Sequence, residues 1–383
     1  MSLGRSAPLL SRLWLVARGY DLPLMAGMAL LSAIGLIIMY SAGHDFEGRF
    51  ATHARNVGLC WLVMFAVAQV PPQRLMQLAV PLYALGVALL VATAVFGITK
   101  KGATRWLYLG VVIQPSEILK LAMPLMLAWW FQQREGLLRL PDFVVATLLL
   151  MVPVGLIARQ PDLGTSLLVL SAGLYVIFFA GLSWRLIVPV MLALVAALVA
   201  IVAGGDTLCE ADRAWPVLRE YQKQRVCTLL DPARDPLGKG FHIIQGMIAI
   251  GSGGLTGKGF MAGTQTHLEF IPERTTDFIF AAYGEEFGLA GGLLLVGGFA
   301  FLILRGLFIA AQAPGLFSRL LAGAVALSIF TYTFVNIGMV SGILPVVGIP
   351  LPFLSYGGTA MVTLGLALGM LMSIARARSL MQR

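Results

Sequence analysis

Apolar residues along this 383-residue chain come in long runs, separated by short polar segments where arginine, glycine and proline collect. Runs able to cross a hydrocarbon core of about 30 Å predict about ten helices. Approximately, these are Leu22 to Tyr40, Val57 to Val70, Leu78 to Phe96, Ile118 to Phe131 and Phe143 to Ile157. The remainder are Ser166 to Gly181, Leu186 to Ala203, Phe287 to Leu304, Leu316 to Val340 and Leu351 to Ile374. Several are short, which implies tilt or local bilayer thinning. With 58% hydrophobic residues, 12% charged residues and a mean hydropathy of +0.87, the chain is too apolar for a soluble protein. The expected fold class is an all-α polytopic membrane protein in one membrane domain, without internal repeats, low-complexity tracts or a separate soluble domain.

The basic residues predict orientation. One set of segments carries Arg5, Arg12, Arg18, Arg74, Arg134, Arg139, Arg185, Arg305, Arg319, Arg376, Arg378 and Arg383. The opposite short loops carry Arg49, Arg55, Lys100, Lys101, Arg105 and Arg159. The excess on the first set places both termini in the cytoplasm. Leu22 to Tyr40 is long enough to span and no small-residue cleavage site stands out, so it is expected to be a retained first helix. The net charge of +9 is therefore topological, since the cations are spread along the chain and form no nucleic-acid footprint.

The segment LEFIPERTTDFIF, Leu268 to Phe280, places Glu269, Glu273 and Asp277 four residues apart where a polar loop meets an apolar run. Acidic groups at a membrane edge are expensive and mark a functional site by default. A helix starting at Pro272 would set Glu273 and Asp277 one turn apart on one face. A solvated acidic helix start that favours the macrodipole explains the spacing equally well. These acids belong to a large loop, residues 204–286, expected on the outer face between spans seven and eight.

That loop contains Cys209 and Cys227, which in an oxidising compartment would close a modest disulfide loop or remain as two thiols. The four histidines are scattered and suggest no metal finger. GSGGLTGKGF, Gly251 to Phe260, imitates a phosphate-binding loop but has Ser252 in place of the first glycine and Gly259 in place of the hydroxyl. Its glycines are expected to serve tight turns and close backbone approach. In QPSEILK, Glu117 and Lys120 are three apart and can pair on one helical face, as a structural ion pair or as part of a site. Arg105 and Trp106 follow Lys100 and Lys101, a cationic group suited to a diphosphate unless Trp106 is only an interfacial anchor.

Taken together, KGATRWLYLGVVIQPSEILK, RQPDLGTS from Arg159, EYQKQRV from Glu220 and LLDPARDPLGKGFHIIQGMIAIGSGGLTGKGF from Leu229 resemble the SEDS family (shape, elongation, division and sporulation). So do LEFIPERTTDFIFAAYGEEFG and NIGMVSGILPVVGIPLPFLSYGGTA from Asn336, the latter carrying the signature Asn336, Pro345, Gly348, Ser355, Gly357 and Gly358. The resemblance runs over nearly the whole chain, and GIPLP points to the elongation branch. Two departures are a long stretch around Asp206 to Leu218 and Thr275, which stands where many relatives have histidine.

The resemblance implies ten spans, a bacterial inner-membrane location and a peptidoglycan glycosyltransferase that polymerises lipid II during elongation. It implies an inverting displacement at a lipid diphosphate with Asp277 as general base, whose pKa an apolar cavity would raise. Arg105, Lys120, Arg225 and Lys258 are then candidates for diphosphate binding or site electrostatics. Glu269 and Glu273 would orient the acceptor or join Asp277 around a divalent cation, Mg or Mn. The partners implied are lipid II, a class B penicillin-binding protein transpeptidase, elongation-complex membrane proteins and membrane lipids. A lipid II flippase should need polar groups through the full membrane depth, whereas these gather at the outer side, and a scaffold gives no reason for the acidic cluster. A continuous helix from Phe278 to Arg305, 28 residues, would be roughly 42 Å long and would put Asp277 at the outer rim.

Overall fold

The computed structural model describes residues 19–381 except 101–102, 109, 111, 137, 206–208, 210–219, 235–237, 269 and 272. Its helices begin with α1 (Leu22–Ala42), α2 (Arg49–Val67) and α3 (Pro72–Phe96), followed by a small antiparallel sheet. The strands β1 (Ile98–Lys100), β2 (Ala103–Tyr108) and β3 (Val112–Ile113) pair in sequence order. Then come α4 (Pro115–Gln132), α5 (Leu140–Arg159), α6 (Leu163–Phe179) and α7 (Trp184–Ala203). The long connection that follows holds α8 (Glu220–Leu230), a 3-10 turn at Pro232–Arg234, α9 (Lys239–Ser252) and the single turn α10 (Thr264–His267). The chain closes with α11 (Ile279–Ala311), α12 (Leu316–Val340) and α13 (Gly358–Met381).

Local chemistry sets many of the helix starts. Proline occupies the first turn of α1, α3, α4 and α5, where its missing N–H costs no hydrogen bond. Asp21 caps α1 by accepting from Leu24 N at 2.9 Å, and Asp162 caps α6 by accepting from Thr165 N at 3.2 Å. Nine of the ten apolar runs lie on helices to within a few residues and the tenth does so from Gly358; eight of the described helices are long and apolar enough to cross a membrane. They are α1, α2, α3, α5, α7, α11, α12 and α13. Leu62, Val95, Leu148, Leu192, Leu293 and Leu304 are all more than half exposed on this surface. An apolar belt of that kind is stable only against lipid, so the protein is a multi-pass membrane protein.

The two ends of the bundle differ. At one end Arg305 forks onto Asp21 at 2.9 and 2.6 Å, and Arg376 donates to the Ala68 carbonyl at 3.0 Å. The sheet, the α1–α2 turn, the long connection and the loop 341–357 lie at the other end, and every motif singled out above lies there with them. Cys209 and Cys227 are joined by a disulfide, 18 residues apart, within the long connection.

Three local expectations are corrected. The last apolar run is not helical from Leu351: α13 starts only at Gly358, because Pro350 and Pro352 break the pattern and Ser355 Oγ accepts from Leu351 N at 2.8 Å. No helix begins near Pro272, which itself lies outside the described residues. Residues 273–278 form turns, α11 begins at Ile279, and Glu273 and Asp277 do not share a helical face. Nor is the helix after Phe278 continuous, because α11 is broken at Gly288, whose φ is 60° and ψ −159°. The glycine-rich segment fills the break. Lys258 N and Gly259 N donate to the Glu285 and Glu286 carbonyls, each at 3.0 Å, while Leu289 N and Ala290 N donate to Gly254 and Leu255 carbonyls at 2.9 and 3.0 Å. The backbone groups released by the break are thus satisfied inside the protein. A Cβ on Gly257 would lie 2.0 Å from the Glu286 carbonyl oxygen, so only glycine permits this approach.

Candidate active site

Asp277 occupies the last turn before α11, between Ile271 and Phe278, both of which are fully buried. Phe278 packs against α9, and its N–H donates to the Glu273 carbonyl at 3.1 Å, closing the turn that carries the acid. Asp277 itself is half-buried. Its segment is stitched to the loop 341–357 residue by residue. Tyr356 N donates to the Thr275 carbonyl at 2.8 Å, Ser355 Oγ to the Thr276 carbonyl at 2.7 Å, and Asn336 Nδ2 to the Asp277 carbonyl at 3.0 Å. The Asp277 carboxylate stands over Gly348, at 3.3 Å from where a Cβ would be.

The same loop forms one wall of an apolar cleft between α4, α12 and α13. Lys120, Pro124, Val325, Tyr332, Phe353 and Leu364 are among its lining residues, and Ser355 connects it to the Asp277 segment. At its polar end Lys120 Nζ meets Glu117 Oε1 at 2.6 Å and faces the Tyr332 ring at 5.5 Å. Thr363 donates to Glu117 at 3.2 Å. The cleft thus combines an apolar lining with a buried cation, and the loop that walls it also holds the Asp277 segment.

Residues 22–380 match the cell cycle protein family that groups FtsW, RodA and SpoVE. Peptidoglycan glycosyltransferase MrdB of Escherichia coli K12 is 48% identical over 358 residues, 93% of each chain. Peptidoglycan glycosyltransferase RodA of Treponema pallidum is 32% identical over 421 residues, 93% of this chain and 97% of that one. Among solved structures, a chain of a peptidoglycan synthase complex described for the coordination of polymerization and crosslinking superposes with a TM-score of 0.77 at 34% identity. It covers 94% of this chain and 98% of that chain. The rod shape determining protein RodA of Thermus thermophilus gives a TM-score of 0.68 at 29% identity, covering 94% and 97%. This chain belongs to the SEDS family.

In this SEDS protein the remaining predicted residues fall into three groups. The first gathers on the loop around Gly348. Arg225 Nη1 donates to the Val346 carbonyl at 2.9 Å, and the first turn of α6 abuts Val347, a Cβ on Gly164 being 2.8 Å from its carbonyl oxygen. Arg105 on β2 reaches that turn, 3.8 Å from Asp162 and hydrogen-bonded to the Gln160 and Pro161 carbonyls, with half-buried Trp106 beside it on the strand. Lys120 and Glu117 form the second group, at the cleft.

The third group comprises Lys258, Glu273 and Glu269. Lys258 is paired with Glu285 at 2.7 Å, and that buried carboxylate also accepts from Gln265 N and Thr266 N at 2.8 and 3.0 Å. Glu273 is exposed and accepts from Thr276 Oγ1 at 2.6 Å, and Glu269 lies outside the described residues. Among the described residues no three acidic, histidine or cysteine side chains are placed to hold a metal ion.

Sequence reasoning missed Arg274, Asp45 and Arg49. Arg274 is only 1% exposed and donates to the Ala42 carbonyl at 3.1 Å and to Asp45 Oδ2 at 2.7 Å, locking the α1–α2 turn beneath the Asp277 segment. Arg49 Nη1 donates to Thr275 Oγ1 at 2.5 Å. The signal available was the adjacency of Arg274 to the acidic cluster. Nearby, His44 and His267 rings meet edge to face at 4.5 Å. Burial first, then the neighbouring His44, hold the His267 imidazole below its ordinary pKa.

Proposed function

We propose that the protein is a peptidoglycan glycosyltransferase that polymerises lipid II into glycan strands during cell elongation. The observation that carries this reading is the fixing of Asp277 by Asn336, Ser355 and Tyr356 on a loop that also walls an apolar cleft. The prenyl chain of the substrate lies along the cleft and its diphosphate faces Lys120, with Arg105 and Arg225 on the other side of the loop. The Asp277 carboxylate accepts the proton of the acceptor sugar hydroxyl as its oxygen attacks the anomeric carbon. The bond from that carbon to the phosphate oxygen breaks, the diphosphate leaves with the electron pair, and configuration inverts in one displacement. A general base of this kind contributes about 10² to 10⁴ in rate. Removing Lys120 or the arginines would deprive the leaving charge of its charge-assisted hydrogen bonds.

The chemistry takes place on the outer face of the inner membrane. That assignment rests on the arginine excess at the Arg305 and Arg376 end, which favours both termini in the cytoplasm and the residue 204–286 connection, with Asp277, outside. A class B penicillin-binding protein would cross-link the strands made here, within an assembly of elongation proteins. The test is polymerisation of purified lipid II by the purified chain, with and without that transpeptidase. Glycan strands are the expected product. Transport of lipid II across vesicles without any polymer would refute the proposal in favour of a flippase.

A further inference from the structure

The α1–α2 turn and Tyr356 line a second, open polar pocket that the chemistry above does not use. It holds about 400 Å³, within the range of small-molecule sites, and is lined by Asp45, Phe46, Glu47, Arg49, Thr52 and Tyr356. It opens beside the catalytic segment. Both Arg49 Nη1, at 2.5 Å, and Tyr356 N, at 2.8 Å, bond to Thr275, two residues before Asp277.

The guanidinium of Arg49 is braced between rings, 3.8 Å from the centre of Phe46 and 5.1 Å from that of Tyr356. Asp45 is held from below by buried Arg274 at 2.7 Å and touched on its other oxygen by His44, while Glu47 is exposed. With Arg274 neutralising Asp45 and Arg49 facing exposed Glu47, two arginines and two carboxylates leave no net positive charge to draw a phosphate. The same set suits an uncharged polyhydroxyl ligand. Carboxylates accept from hydroxyl groups, the guanidinium and Thr52 donate to sugar oxygens, and the two rings offer flat apolar cover.

We infer that this pocket is a saccharide subsite, holding a sugar of the lipid-linked substrate or of the growing glycan next to Asp277. The inference rests on the reading of the chain as a glycan polymerase. It names the surface that orients the sugars relative to the base, away from the lipid cleft.

The test measures binding without turnover, using the full chain in lipid nanodiscs carrying Asp277→Asn. Three probes are compared: a neutral tetramer of β-1,4-linked N-acetylglucosamine, lipid II, and inorganic pyrophosphate. Adding Glu47→Gln or Thr52→Val, which leave the Arg49 to Thr275 bond in place, should weaken at least one saccharide probe by roughly tenfold. Pyrophosphate affinity should not change. A loss confined to the tetramer assigns the pocket to the growing chain, and a loss confined to lipid II assigns it to the substrate's own sugars. Unchanged affinity for both saccharides, no saccharide binding at all, or weakening of pyrophosphate alone overturns the inference. Failure of the wild-type chain to polymerise lipid II would instead count against the functional reading, and the binding result would still be scored by itself.

Discussion

The side-chain amide of Asn336 donates to the backbone carbonyl of Asp277 at 3.0 Å, and to that of Ile349 at 2.7 Å. One fully buried side chain at the end of α12 thereby fixes the segment bearing the acid against the loop bearing Gly348. Asn336→Asp is nearly isosteric but replaces the donors with oxygens facing two carbonyl oxygens. Unsatisfied buried groups cost about 1 to 3 kcal/mol each, so the variant should melt earlier in detergent and lose polymerisation. Wild-type melting and turnover would show that the bond does not position Asp277.

Asp277→Asn keeps the size of the side chain and removes its basicity. Polymerisation of lipid II should fall by about 10² to 10⁴, with insertion and transpeptidase binding intact. Glu273→Gln should be far milder, since the Glu273 side chain is exposed and accepts from its neighbour Thr276 Oγ1. Substantial polymer from a pure Asp277→Asn preparation would sink the base assignment.

Lys120→Met breaks a pair that is mostly buried, with side-chain exposures of 7% and 17%. Removing one partner of a buried pair typically costs about 3 to 5 kcal/mol, and adding Glu117→Gln should recover most of that stability. If Lys120 also serves the diphosphate, the double variant should fold normally and still polymerise poorly. Recovery of turnover together with stability would leave Lys120 a purely structural cation.

Gly288→Ala places a side chain at positive φ and brings a Cβ to 2.3 Å from Gly257 N. That conformation is essentially restricted to glycine and costs about 1 to 3 kcal/mol, and the collision adds to it. Thermal unfolding should show a clear loss, with Gly257→Ala at least as severe. A silent Gly288→Ala would mean that the break in α11 is not needed.

Reduction of the Cys209 to Cys227 disulfide, or Cys209→Ser with Cys227→Ser, should cost about 3 kcal/mol on the loop-entropy model for a closed loop of this size. Non-reducing peptide mapping of protein made in an oxidising compartment should recover the linked pair. Two free thiols in that material would remove the bridge.

The sequence by itself determined what depends on period, composition and short spacing. Membrane spans were legible because a lipid-facing helix must be apolar over its whole length, so the apolar runs fell on helices, the last only from Gly358, without knowledge of any contact. The Glu117 and Lys120 pair was legible from a spacing of three, and close approach by the glycine-rich segment from its lack of side chains. Asp277 stood out because a carboxylate at an apolar boundary is costly.

Only the tertiary structure decided how these pieces meet. The break at Gly288 is stabilised by Gly254 to Gly259, about 30 residues earlier in the chain, so no local pattern in α11 marks it. Lys258 looks like a phosphate ligand in sequence, yet long-range folding assigns it to Glu285. Arg274 and Asp45 are separated by 229 residues, and their pairing beneath the Asp277 segment has no trace in local spacing. Periodicity reports which face of an element is apolar. The partners of a polar group depend on which elements are packed together, and that is settled by the whole fold at once.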